Sequence, residues 1–183
     1  MVSLAPGILL IADPFLKDPN FARSVILLCE HQDKGSFGFV LNKSFDQRLD
    51  ELIPEVLIAN IPVYLGGPVQ MDTIHFVHRE PELIQGGFEI IPGIYWGGNF
   101  EHVVELINSG QLDMSRIKFF IGYSGWSTGQ LEHEFNEKSW ILSESKADII
   151  FDEQEQQIWP QSLRNLGANF AIMANFPIDP SLN

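Results

Sequence analysis

The sequence predicts an α+β fold, on three observations. The first part of the chain is a series of short apolar runs separated by turn residues at hairpin spacing. The clearest helical period, with Phe100, Val103, Val104 and Ile107 behind Asn99, arrives only past the middle. Residues 116–135 then read as strand, tight turn and helix in succession. Hairpins first and helices inserted later do not fit regular βαβ winding.

In chain order, residues 8–12 are a buried strand closed by Asp13-Pro14, and Asp18-Pro19-Asn20 is a turn. Residues 21–30 form a second strand, whose centre at 25–28 is apolar on both alternating faces and so belongs inside a sheet. Residues 31–35 are a hairpin loop, and 36–42 return as an antiparallel strand. A short helix over 46–53 is limited by Pro54. Residues 61–65 are a strand whose Pro62 points to an edge or a first position. Strands follow at 73–78, 88–91 and 94–96, the last two around Pro92-Gly93, with a loop at 81–87. Asn99 caps the amphipathic helix, and Ser109-Gly110 ends it. In the stretch after it, residues 117–123 are strand and Gly122–Gly125 breaks it. The S-x-x-Q of Ser127 to Gln130 is a capping box with Ser127 at the N-cap. Residues 138–142 and 148–151 are strand candidates. Residues 152–167 are helical, interrupted or restarted at Pro160. Residues 168–174 are ambiguous, and 177–183 are a Pro-containing tail. With no repeats or linkers, residues 1–183 read as one domain.

Twenty-four acids against 11 bases give a net charge of −13, and the excess is spread over both halves of the chain. Affinity for nucleic acid rests on Lys and Arg displacing counterions from phosphates, so a uniformly acidic chain is poorly suited to it. The single cysteine, Cys29, excludes an internal disulfide framework and fits a reducing compartment. No apolar run approaches the ~18 residues of a membrane span, and residues 7–12 are too short for a signal segment. The expectation is a cytoplasmic protein with no membrane association.

Chemical motifs are sparse. Gly125-Trp126-Ser127-Thr128-Gly129 satisfies G-x-S-x-G, the pattern of a nucleophile elbow. Ser127, however, stands beyond an extra turn, is a natural N-cap, and is followed only by His133, six residues on in the same helix. His75 and His78, at i and i+3 on a strand, point to opposite faces, and no H-E-x-x-H or Cys/His cluster occurs, so no metal site is expected. The paired glycines match neither phosphate-binding pattern, so no cofactor is implied. What remains is a recognition surface. Arg23 and Glu30 bracket an apolar strand, and together with Asn42, Tyr123, Trp126 and Gln130 they form a candidate binding rim; Trp and Arg are the types most enriched at interface hot spots.

Several stretches carry a kinship: residues 7–12, 18–28, Glu30-His31, 38–42, 64–69, and Gly122-Tyr-Ser-Gly-Trp126 with Gly129-Gln-Leu-Glu132. In this order, over nearly the whole chain, they resemble the AlgH/YqgE family of bacterial proteins. The closing residues 175–183 resemble its Bacteroidetes branch. The resemblance implies a bifurcated, mostly antiparallel sheet folded into a pseudo-barrel and flanked by helices. It implies no catalytic residues. It carries the label of transcriptional regulator and a link to alginate production, which the acidic charge argues against reading as direct DNA contact. The family pattern has small or Pro-like residues where Ser127-Thr128 stand here, which makes the G-x-S-x-G match accidental. The reading is a non-enzymatic domain that binds a protein or small ligand near residues 123–130 and 23–30. The alternative is an enzyme acting on an anionic ligand at the turn of residues 122–130.

Overall fold

The structure, a computed structural model, describes residues 2–178; of the predicted tail, residues 179–183 lie outside them. Among the described residues nine strands form one mostly antiparallel sheet that does not close. β1 (Ile8–Ala12), β2 (Val25–Gln32) and β3 (Gly35–Val40) are antiparallel neighbours. β9 (Trp140–Glu144) pairs with β1 at one edge. β5 (Val69–His78), β7 (Ile94–Trp96) and β6 (Phe88–Ile91) run out to the other edge.

β8 (Ile117–Ser127) joins the two halves and is where the sheet forks. Its first half pairs antiparallel with β5 and parallel with β4 (Val63–Leu65), and its second half, from Ser124 on, pairs with β3. The residues 122–125 read from the sequence as a turn are therefore strand. Gly122 holds φ at 66°, and here one residue of β8 faces four of β5, between the pairs Ile74↔Ile121 and Val69↔Tyr123. A left-handed residue bulges a strand without ending it.

β8 feeds all three cores. Phe120 joins Leu9, Leu27, Phe39 and Trp159; Ile117, Phe119 and Ile121 join Phe76 and Val103; Trp126 joins Leu10, Leu28 and Trp140. β1 and β2 send alternate residues to opposite cores, as their two-faced apolar pattern requires.

Among the described residues six α-helices flank the sheet: α1 (Leu49–Leu52), α2 (Phe100–Asn108), α3 (Gln130–Asn136), α4 (Ala147–Ile150), α5 (Glu155–Asn165) and α6 (Ala168–Met173). α2 begins as expected, with Asn99 Oδ1 accepting from the His102 amide at 3.1 Å. Residues 148–151 are not a strand. Ile149 and Ile150 are buried from α4, and so short an apolar run carries no period that separates helix from strand. Pro160 does not interrupt α5 either. The Gln156 carbonyl that loses its helical donor belongs to an exposed residue, so its loss carries no burial penalty. β2 starts at Val25 instead of residue 21, because turn bonds from Phe21 and Ala22 to the Asp18 carbonyl and φ of 55° at Arg23 fold that segment back. No helix among the described residues is long and apolar enough to cross a membrane.

Candidate functional site

A cavity of about 500 Å3 opens where β3, β5, β7 and β8 meet beside the fork. Its walls are aromatic: Phe37, His75, Trp96 and Tyr123, with Glu30, Gln32 and Lys34 along the polar side. Phe37 packs edge-on to Trp96 at 4.7 Å and to Tyr123 at 6.0 Å, and His75 meets Tyr123 edge-on at 6.0 Å. These rings reach one place because Phe37, His75, Trp96 and Tyr123 occupy like-facing positions on four strands, and the break in the β5–β8 ladder leaves the space between them unfilled.

Of the six residues singled out in the sequence, Glu30, Tyr123 and Trp126 border this cavity, and Arg23, Asn42 and Gln130 do not. Trp126 is 5% exposed, and its side chain packs with Phe21, Leu131 and Trp140 on the opposite face of the sheet, so it is the strand's main chain that meets the cavity. Arg23 stacks its guanidinium 4.6 Å over Trp159 and donates to the Phe176 carbonyl. Asn42 braces the same corner, donating to the Arg23 carbonyl and accepting from the Val25 amide, both at 2.8 Å. Arg23 and Asn42 thus fix the entry to β2. Gln130 accepts from the Ser127 amide at 3.0 Å and donates to Glu134 at 2.9 Å, tying β8 to α3.

Ser127 is the last residue of β8 and not an N-cap; α3 starts behind Gly129, at φ 73°. The Ser127 hydroxyl donates to Gln130 Oε1 at 3.3 Å, and no histidine among the described residues hydrogen-bonds to it. The capping box is half formed: the glutamine side reaches back, and the serine side makes no bond to a helix amide. His78 is fully buried, with Nε2 at 3.0 Å from the Gly97 carbonyl and Nδ1 accepting from the Glu80 amide at 3.1 Å. Both nitrogens are thereby used by main chain in the neutral form, and burial holds its pKa below the ordinary value. His75 is held low by burial as well, and its Nε2 is buried without a partner. Among the described residues no three of His, Cys, Asp and Glu gather as a metal set.

Sequence reasoning missed Phe37, His75 and Trp96, because nothing local marks residues from three separate strands as neighbours. It also passed over Lys118, for which there was a signal: one cation inside the apolar run 117–121. Burial pushes its amine down to about 7, against the pull of Asp152, Glu153 and Glu155. An unfolded lysine titrates at roughly 10.4, so above neutrality the unfolded chain binds more protons than the folded one and stability rises with pH. Cys29 acts with the opposite sign. Burial, with Glu30 adding to it, keeps the thiol protonated in the fold, while the unfolded thiol ionises above roughly pH 8.5. Urea denaturation is expected to show stability climbing on the order of 1 kcal/mol between about pH 7 and 8.5 and then flattening. Lys118→Met should abolish the climb, and Cys29→Ala should extend it to higher pH.

A forked, mostly antiparallel sheet with helices packed around it is the fold of AlgH-like proteins. The chain belongs to that family, whose model matches residues 9–171. It is 43% identical over 180 residues to a UPF0301 protein of Chlorobaculum tepidum, covering 98% of this chain and 96% of that one. A UPF0301 protein of Cytophaga hutchinsonii is 40% identical over 181 residues, covering 98% and 100%. The solution structure of AlgH from Pseudomonas aeruginosa superposes with a TM-score of 0.74 at 26% identity, over 97% of this chain and 98% of that one. A crystal structure of a Corynebacterium diphtheriae protein shares the fold, with a TM-score of 0.81 at 22% identity over 96% and 94%.

Proposed function

We propose that this protein is a cytoplasmic, non-enzymatic binding domain that holds a flat ring, from a small molecule or a partner's side chain, in the cavity beside Tyr123. The observation that carries the reading is a concave space of about 500 Å3 whose walls are ring faces and edges and whose rim alone is charged. Aromatic walls reward a planar guest through stacking and edge contacts, and the few polar groups fix its orientation. Any regulatory role would then run through ligand or partner binding, since a net charge of −13 repels a phosphate backbone. An enzyme at the turn of residues 122–130 draws no support from a Ser127 hydroxyl whose hydrogen-bond partner is Gln130.

Ligand-observed NMR with a panel of planar heteroaromatic compounds tests this. Trp126, Trp140 and Trp159 are each at most 5% exposed, so Trp96 is the tryptophan that reports on the cavity by fluorescence. Binders should quench it, and Trp96→Leu should weaken them roughly tenfold, the worth of one aromatic pair. Binding that Trp96→Leu leaves unchanged, or a panel without any binder, would sink the reading.

A further inference from the structure

A second cavity, of about 850 Å3, opens between β4, the start of β8 and the beginning of α5. It shares no lining residue with the aromatic cavity. Lys118 stands in its wall at 4% exposure, with Ser44, Arg48, Tyr64, Glu153 and Glu155 around the same space. Buried lysines are ordinarily paired with a carboxylate. This one donates instead to the Asp152 main-chain carbonyl at 2.8 Å and lies 4.0 Å over the Tyr64 ring, and it forms no ion pair among the described residues. We propose that Lys118 is a carbonyl-capture site, whose amine forms a reversible imine with a small polar aldehyde or ketone entering this cavity.

The groups facing the amine are Asp152, Glu153 and Glu155 around the start of α5 and Tyr64 from β4, and Arg48, ahead of α1, lines the same cavity. The acids and the ring face favour the ammonium, and desolvation opposes them and dominates. The resulting neutral amine keeps one N–H for Asp152 and has a free lone pair. That pair adds to the carbonyl carbon as the C–O π electrons move to oxygen. The two nitrogen protons then leave with that oxygen as water, and a C=N bond remains. The exchange needs no oxidant, reductant or further reactant. Besides Lys118, the wall holds a cation (Arg48), two carboxylates (Glu153, Glu155) and two hydroxyls (Ser44, Tyr64), which suits a polar carbonyl compound over an apolar one.

The test is reductive trapping on the intact wild-type protein near pH 7.5, with cyanoborohydride and either glycolaldehyde or glyoxylate, read by peptide mapping. Lys118 should take the label at least about tenfold faster than exposed Lys34 and Lys138, because an ordinary lysine is almost wholly protonated at that pH. In denaturant the preference should vanish. Lys118→Arg, which cannot form an imine, should lose the fast phase while the exposed lysines label as before. Faster trapping of glyoxylate than of glycolaldehyde would support the site as one for carbonyl acids oriented by Arg48, and equal rates as one for neutral carbonyls. Labelling that simply follows exposure, or that reaches Lys118 only above about pH 9, would overturn the proposal.

Discussion

Gly67→Ala is expected to destabilise the protein by about 4 kcal/mol, in the range reserved for specific structural failures. The Gly66-Gly67 segment is threaded between two strands at the fork. The Gly66 amide donates to Ile121 at 2.8 Å, and its carbonyl accepts from the Val40 amide at 2.9 Å and from the buried Ser124 hydroxyl at 3.0 Å. A Cβ on Gly67 would lie inside contact distance of the Tyr123 carbonyl carbon and oxygen and of the Ser124 nitrogen, all main chain. Main-chain atoms cannot rotate out of the way as a flexible side chain can, so the segment must pull off β8 and release those bonds together. Chemical denaturation measures the loss, and proteolysis should locate new sensitivity at residues 66–70. A loss below about 1 kcal/mol would mean that the strap yields freely and does not set the fork.

The second large effect is at Glu134. Its Oε2 accepts from the indole nitrogens of both Trp126 and Trp140 at 2.9 Å, and its Oε1 accepts from Gln130 at the same distance. The two indoles stand edge to face at 6.2 Å in the core beneath α3. Glu134→Ala leaves two buried N–H donors without an acceptor, each costing about 1–3 kcal/mol, so a net loss of about 3 kcal/mol is expected. Glu134→Gln retains a carbonyl oxygen for the indoles but sets its amide N–H against the Gln130 donor, losing that bond and the charge assistance, so about 1–2 kcal/mol is expected. Urea denaturation separates the two variants, and near-UV circular dichroism should report the loosened tryptophan pair. Equal losses for both substitutions would show that charge, and not the acceptor, is what holds the indoles.

This carboxylate also shows why the candidate rim was only half legible. Trp126 looks like a hot-spot residue by type, yet its alternation on β8 turns the ring into the core, where Glu134 and Trp140 engage it. Arg23 likewise serves a local corner through Trp159 and the Phe176 carbonyl, a residue 153 positions away. Residue type says what a side chain can do, and face and partner decide what it does. Tyr123 and Glu30 do border the aromatic cavity, but their neighbours Phe37, His75 and Trp96 come from strands whose pairing through β8 no local pattern encodes.

Local chemistry in the sequence alone determined the α+β class, the bounds of β1, β6 and β7, and the Asn99-capped α2. In each of these, periodicity, punctuation or a cap acts within a few residues. Tertiary structure decided that residues 122–125 continue a strand, that residues 148–150 coil into α4 with Phe151 closing it, and that Pro160 sits inside α5. At those places local preference is weak, and burial against distant partners supplies the larger free energy.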